Sequence, residues 1–256
     1  MIKELKADIV KSAFESQEGH IPSAFSILDI LWVLYDKVLN INPTMVDDPN
    51  RDRFILSKGH GSLGLYAVLA KKGFIDPKEM STFGKVDSRL GGHPDRNKIP
   101  GVEASTGSLG HGMPIAVGTA LGLKIQNNPA RVFALVGDGE ANEGTVWESA
   151  LLAAHHGLDN LYCILDYNHS TDRALSIGDM ASKFESFGWR TATVDGHDQK
   201  QLEEALREPT EKTGKPLMVV ANTIKGYGLK SMENNPAWHH RAPTAEERDA
   251  FTTELA

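Results

Sequence analysis

Two short segments of this chain place acids and amides where a metal ion could be held. A β-type apolar run, residues 131–136, ends in Gly137-Asp138-Gly139-Glu140, and a second, residues 161–165, ends in Asp166-Tyr167-Asn168. Glycine on either side of Asp138 lets the backbone approach a ligand closely and adopt positive φ. The carboxylate is a hard oxygen donor of the kind magnesium or calcium takes. A helix following Gly139 would aim its first amides at an anion. If the two runs are neighbouring strands, Asp138 and Asn168 share one rim. One carboxylate and one amide neutralise a divalent cation only in part, so phosphate oxygens would complete its shell, as is usual for magnesium. Residues 137–168 therefore read as a rim for a cation and a diphosphate. G-D-G alone is short enough to be a plain strand-to-helix turn. The asparagine thirty positions after Asp138 argues against that.

Histidines beside glycine form a second constellation: Gly19-His20, Gly59-His60-Gly61, Gly92-His93-Pro94 and Gly110-His111-Gly112, with His239-His240 after Trp238. An imidazole can donate to a phosphate or sugar hydroxyl and can move protons near neutral pH. Singly, each is equally a surface or hydrogen-bonded structural residue, and no spacing fits zinc. His197, in Asp195-Gly196-His197-Asp198, reads as a strand-to-helix connection with Asp198 as helix cap. The run 105–112 holds three glycines and is either a flexible loop or a backbone laid against a flat ring.

These residues need a frame to position them. Helical periodicity covers residues 2–14, 24–38, 63–72, 114–126, 145–155 and 199–207. Apolar β-type runs cover 52–56, 131–136, 161–165, 191–194 and 217–223, and residues 84–112 read as one long glycine-rich loop. Strands alternating with helices predict an α/β fold, a mostly parallel sheet with helices on both faces. Ligands of such sheets bind beyond the carboxyl ends of the strands, where both candidate segments fall.

The 256 residues are enough for one large domain, and a composition 40% hydrophobic and 24% charged is that of a soluble globular protein. A net charge of -7 argues against nucleic acid as the main partner. No segment reads as a signal peptide or is long and apolar enough to span a bilayer. The single cysteine, Cys163, excludes a disulfide within the chain and fits a reducing compartment, so the expected location is the cytoplasm.

The stretch from Gly137-Asp138-Gly139 to Asn168 resembles the thiamine-diphosphate motif, and Glu140 to Gly144 resembles transketolase. Glu18-Gly19-His20, Ser57-Lys58-Gly59-His60, Gly92-His93-Pro94 and the segment from Met232 to His239 are similar to the transketolase histidine motifs. Ser105 to Gly112 resembles the loop that contacts the aminopyrimidine. The resemblance runs from His20 to the tail. It implies a thiamine diphosphate PP-type domain over residues 1–256. Asp138, Asn168 and the Ser170 carbonyl would ligate Mg2+ (or Ca2+ or Mn2+), and Gly137 and Gly139 would adjoin the diphosphate. Gly107, Ser108 and Leu109 would touch the pyrimidine, and Glu143 would link cofactor sites between subunits. His20, His60, His93 and His239 would line the channel over the reactive carbon, with His60 and His239 also near the cofactor.

The chain departs from the family pattern at Pro22-Ser23, Ser108, His111, Tyr167 and residues 170–175, and at His240, where glycine is usual. Full-length transketolases continue into a pyrimidine-binding domain carrying an essential glutamate. The resemblance therefore implies a separate partner, the C-terminal transketolase subunit, in an α2β2 heterotetramer. It also implies transfer of a two-carbon ketol unit between sugar (phosphate) substrates. The alternatives are a chain like 1-deoxyxylulose-5-phosphate synthase or the α chain of a 2-oxoacid dehydrogenase, or a non-catalytic scaffold that only binds cofactor.

Overall fold

A computed structural model describes residues 1–207 and 212–255. Its centre is a five-stranded, fully parallel sheet of β1 (Arg53–Leu56), β2 (Val132–Gly137), β3 (Leu161–Tyr167), β4 (Arg190–Asp195) and β5 (Leu217–Asn222), in the order β1-β2-β3-β5-β4. The strands read as unbroken apolar runs because both faces are covered. Alternation then decides which face each side chain enters. Phe133, Leu135, Tyr162, Ile164 and Val219 join the larger core, with α1 (Ile2–Ser16), α2 (Ile21–Val33) and α3 (Ser62–Lys71). Val132, Ala134, Val136, Cys163 and Leu165 join the second core, with α4 (Gly112–Ile125), α5 (Gly144–His155) and α6 (Met180–Ser186). The fold is thus the α/β class that the sequence predicts.

Three differences have local causes. The helix expected over 24–38 begins at Ile21, because Pro22 lies in its first turn, where a missing N–H costs nothing. It then loosens into a π turn over Leu34–Val38. No helix follows Gly139 directly. A 3-10 turn, Glu140–Asn142, intervenes before α5 because the Glu140 side chain folds back onto the chain behind it. The periodicity also gives no sign of the last helix, Ala245–Leu255, which buries Phe251 against Trp238 at 5.3 Å between ring centroids. Residues 84–112 hold no helix or strand before Gly112, as expected. His197 stands between β4 and α7 (Gln199–Leu206), and Asp198 caps α7 by accepting from the amides of Lys200 and Gln201. Among the described residues no helix is long and apolar enough to cross a membrane.

Candidate active site

Parallel pairing of β2 with β3 sets Gly137 opposite Asp166, so the two candidate segments leave the sheet side by side. Asp138 and Asn168 are both buried. The Ser170 amide donates to both, at 3.0 Å to Asp138 Oδ2 and 3.1 Å to Asn168 Oδ1, so these oxygens converge within reach of one N–H. In this arrangement it is the amide of Ser170 that meets them, where the family resemblance implies a role for its carbonyl. Burial pushes the Asp138 carboxyl above its ordinary range, and the neighbouring Asp166 adds to this, against Lys58 and the amides of Gly139 and Ser170. A buried acid raised in this way favours a cation beside it. One carboxylate and one amide are the hard, low-charge donors of a magnesium site. The residues present therefore fit a metal whose shell a diphosphate completes.

Asp166, which no motif singles out, holds this pair in place. It is fully buried and accepts from Ser26 at 2.9 Å, from Asn168 Nδ2 at 3.0 Å, and from Thr223 and Lys58. Burial raises its carboxyl, but the Lys58 ammonium together with the hydrogen bonds from Thr223 and Ser26 outweighs that and leaves it below the ordinary range. By taking Nδ2 of Asn168 it turns Oδ1 toward Asp138. A second buried acid, Glu140, ties three segments together by accepting from Ser57 after β1, from Gly137 of β2 at 3.1 Å, and from Gly110 of the glycine-rich loop at 2.9 Å.

That loop lies close to the β1 end. A Cβ on Gly59 would stand 2.7 Å from the Gly107 amide nitrogen, and one on Gly107, whose φ is +142°, would stand 2.9 Å from the His93 ring. Gly59→Ala should therefore lower stability by about 1–3 kcal/mol through overpacking. Equilibrium urea unfolding checks this, and an unchanged midpoint would contradict the backbone contact. Ser108 is exposed and Leu109 half-buried. Glu143 is exposed, with its side chain over Gly110.

Three of the four predicted histidines meet. His20 stands edge-on to His60 and to His239, each at 5.2 Å, and His60 is 6.1 Å from His239. His93 is exposed and lies against Gly107, outside these ring contacts. His239 Nδ1 lies 2.8 Å from Nζ of Lys225, a residue outside every motif although it follows the carboxyl end of β5. A cleft of about 460 Å3 is lined by Asn168, Ser170, Arg173, Thr223, Lys225 and His239. It runs from Asn168 and Ser170 to His239, and its Arg173 and Lys225 would present cations to an anion. Burial, and then Lys58, lower the Lys225 ammonium to about 8.

Burial also depresses His60 to about 2, helped by Lys58, and His20 to about 4. At neutral pH these rings are uncharged hydrogen-bonding groups, not the neutral-range proton carriers expected from histidine alone. Both folded values lie below the unfolded value near 6.5. The unfolded chain then binds more protons, so this stability is complete above about pH 6.5 and is lost as pH falls toward the folded values. From pH 6.5 to 5, denaturant unfolding should show proton uptake approaching two, with about 1.4 kcal/mol per pH unit from His60 alone. Asp138 and Glu140, raised by burial, act in the opposite sense once they protonate. Stability that is flat over this window would contradict the buried neutral rings.

Sheet, rim and imidazole cluster define a class: a parallel α/β domain whose strand ends gather donors suited to a metal and an anion. The family model described as "Transketolase, thiamine diphosphate binding domain" matches residues 1–255. An apulose-4-phosphate transketolase subunit of Actinobacillus succinogenes is 40% identical over 252 residues, covering 96% of this chain and 91% of that protein. The 6-deoxy-6-sulfo-D-fructose transketolase subunit of a Clostridium species is 36% identical over 242 residues, 93% of this chain and 88% of that protein. Among solved structures, transketolase from Leishmania mexicana superposes with a TM-score of 0.87 at 28% identity, over 100% of this chain and 41% of that one. That of Campylobacter jejuni gives 0.86 at 31% identity, over 99% and 41%. The chain thus spans about two fifths of these solved transketolases and most of the length of the two relatives named as subunits. It belongs to the transketolase family.

Proposed function

We propose that this chain is the diphosphate-binding, N-terminal subunit of a two-chain transketolase, a single PP-type domain active only with a partner carrying the pyrimidine-binding domain. The observation that carries this is the convergence of Asp138 and Asn168 at adjacent strand ends, opening into a cleft walled by Lys225 and His239. Relatives named as separate subunits, matched almost end to end, support the division into two chains. Thiamine diphosphate, when bound, supplies the carbon nucleophile and the electron sink for cleaving the bond beside a ketose carbonyl.

The remaining work falls to the protein. Asp138, Asn168 and the Ser170 carbonyl would hold Mg2+ (or Ca2+ or Mn2+), with Gly137 and Gly139 close to the diphosphate. The 107–109 backbone would support the aminopyrimidine. Glu143 would face the assembly's other cofactor site, and the activating glutamate would come from the partner. His20, His60, His93 and His239 would bind the hydroxyls of ketose and aldose (phosphate) substrates as the two-carbon unit passes from donor to acceptor. The proposed assembly is an α2β2 heterotetramer in the cytoplasm.

The test is ketol transfer from a ketose phosphate to an aldose phosphate by the two chains together and by each alone, with pyruvate decarboxylation measured alongside. Transfer by the pair only is expected. Pyruvate turnover without ketol transfer would overturn the reading in favour of another thiamine enzyme, and binding of cofactor without any turnover would leave a scaffold.

A further inference from the structure

One pair of side chains beside the imidazole cluster has no part in the proposed chemistry. His240 Nε2 lies 2.6 Å from Glu18 Oε1, and the His240 ring stacks on His20 with centroids 4.4 Å apart and planes at 20°. His20 is fixed independently. Its Nδ1 lies 2.8 Å from the His239 carbonyl oxygen, which can only accept, so Nδ1 carries the proton and Nε2 keeps its lone pair. His60 and His239 meet His20 edge-on, whereas His240 covers a broad face of the ring. Glu18 stands two residues before His20, on the connection from α1 to α2, so carboxylate, outer ring and inner ring form three successive layers.

The chemistry of this pair is that of a wall. The carboxylate of Glu18 accepts from Nε2–H of His240, which commits the protonated edge of that ring and keeps the ring from swinging. What it sets against His20 is its flat face. In this chain both side chains are about half exposed, 51% for His240 and 42% for Glu18, so the pair lies on the outer side of the cluster and not in its depth. A glycine at position 240 would leave this face of His20 open.

Resting on the ketol-transfer reading, we infer that Glu18 and His240 determine acceptor specificity: the pinned ring narrows the entrance beside His20 and turns away aldehydes branched next to the carbonyl. The effect is steric, acts on kcat/KM for bulky acceptors, and leaves the chemistry at the other histidines untouched. One additional methylene in a confined site discriminates by roughly 10–200-fold.

The experiment uses the two-chain complex with glycolaldehyde and with an α-branched hydroxyaldehyde as acceptors. His240→Gly, and His240→Ala as a second variant, should raise kcat/KM for the branched acceptor about tenfold relative to glycolaldehyde, with kcat on glycolaldehyde within about twofold of the parent. Glu18→Ala should act in the same direction and less strongly, and it should add nothing in the His240→Gly background. Equal changes for both acceptors, or a Glu18→Ala effect that persists undiminished beside His240→Gly, would overturn the wall. A parent complex that transfers no ketol unit to either acceptor overturns the functional reading and the wall with it. An active parent with unselective variants overturns the wall alone.

Discussion

Asp138→Ala is expected to lower turnover of the assembled two-chain enzyme by about 100-fold or more, since even outer partners of metal ligands cost 10–100-fold when removed. The same substitution should leave the metal-free chain as stable as before, or more so. The reason is electrostatic. Asp138 is 3% exposed, and its carboxyl is raised by burial and by Asp166, so as a free anion it is poorly accommodated. Its two described backbone donors, the amides of Gly139 at 2.7 Å and Ser170 at 3.0 Å, compensate only in part. The parent two-chain complex should therefore gain stability from magnesium and thiamine diphosphate in proportion to the logarithm of their concentration, and the variant complex should not. Thermal midpoints with and without the two ligands, read beside turnover, separate a ligand role from a structural one. A variant that keeps both its turnover and its ligand-induced stabilisation would remove Asp138 from the metal site.

The second large effect is expected at Lys58→Met. Lys58 and Asp166 form a buried ion pair, with side chains 3% and 0% exposed. Losing one partner of such a pair strands the other as an uncompensated charge and costs about 3–5 kcal/mol, whereas neutralising both costs far less. Urea unfolding of the metal-free chain should show that loss for Lys58→Met and recover most of it in Lys58→Met/Asp166→Asn. The double variant keeps an amide oxygen that can accept from Thr223, while its NH2 can donate to the Ser26 hydroxyl oxygen. Losses that simply add would contradict direct coupling of the pair. Because Asp166 also orients the Asn168 amide, Lys58→Met should weaken metal-dependent cofactor binding as well as stability.

The meeting of Asp138 with Asn168 at one strand rim is legible in the sequence because its signal is local. Gly137-Asp138-Gly139 and Asn168 each follow an apolar run, and parallel pairing of adjacent runs brings their ends together without further information. The α/β class follows from the same alternation. Asp166 shows what local patterns miss. It lies two residues before Asn168, yet its partners Ser26 and Lys58 are 140 and 108 positions away, and no spacing rule reaches across such separations. Glu140 is visible as part of the motif, but its role depends on Ser57 and Gly110, 83 and 30 positions away. Lys225 carries a weaker signal, since it follows the end of a strand where ligands of parallel sheets bind. It escapes notice because Thr223-Ile224-Lys225-Gly226 has no spacing that announces chemistry. His197 reads as a connector and is one. It also accepts from the Ile224 amide at 2.9 Å and stacks on Tyr227 at 3.6 Å, which anchors the segment carrying Lys225.

The central claim is that residues 137–168 anchor the metal-diphosphate end of a cofactor whose other end is activated by another chain. Calorimetric titration of thiamine diphosphate with magnesium, into this chain alone and into the two-chain complex, tests it most directly. Tight binding is expected only for the complex, lost on chelation of the metal and lost in Asp138→Ala. Equally tight, metal-dependent binding by this chain alone would contradict a site shared between chains, and tight binding without metal would contradict the rim itself.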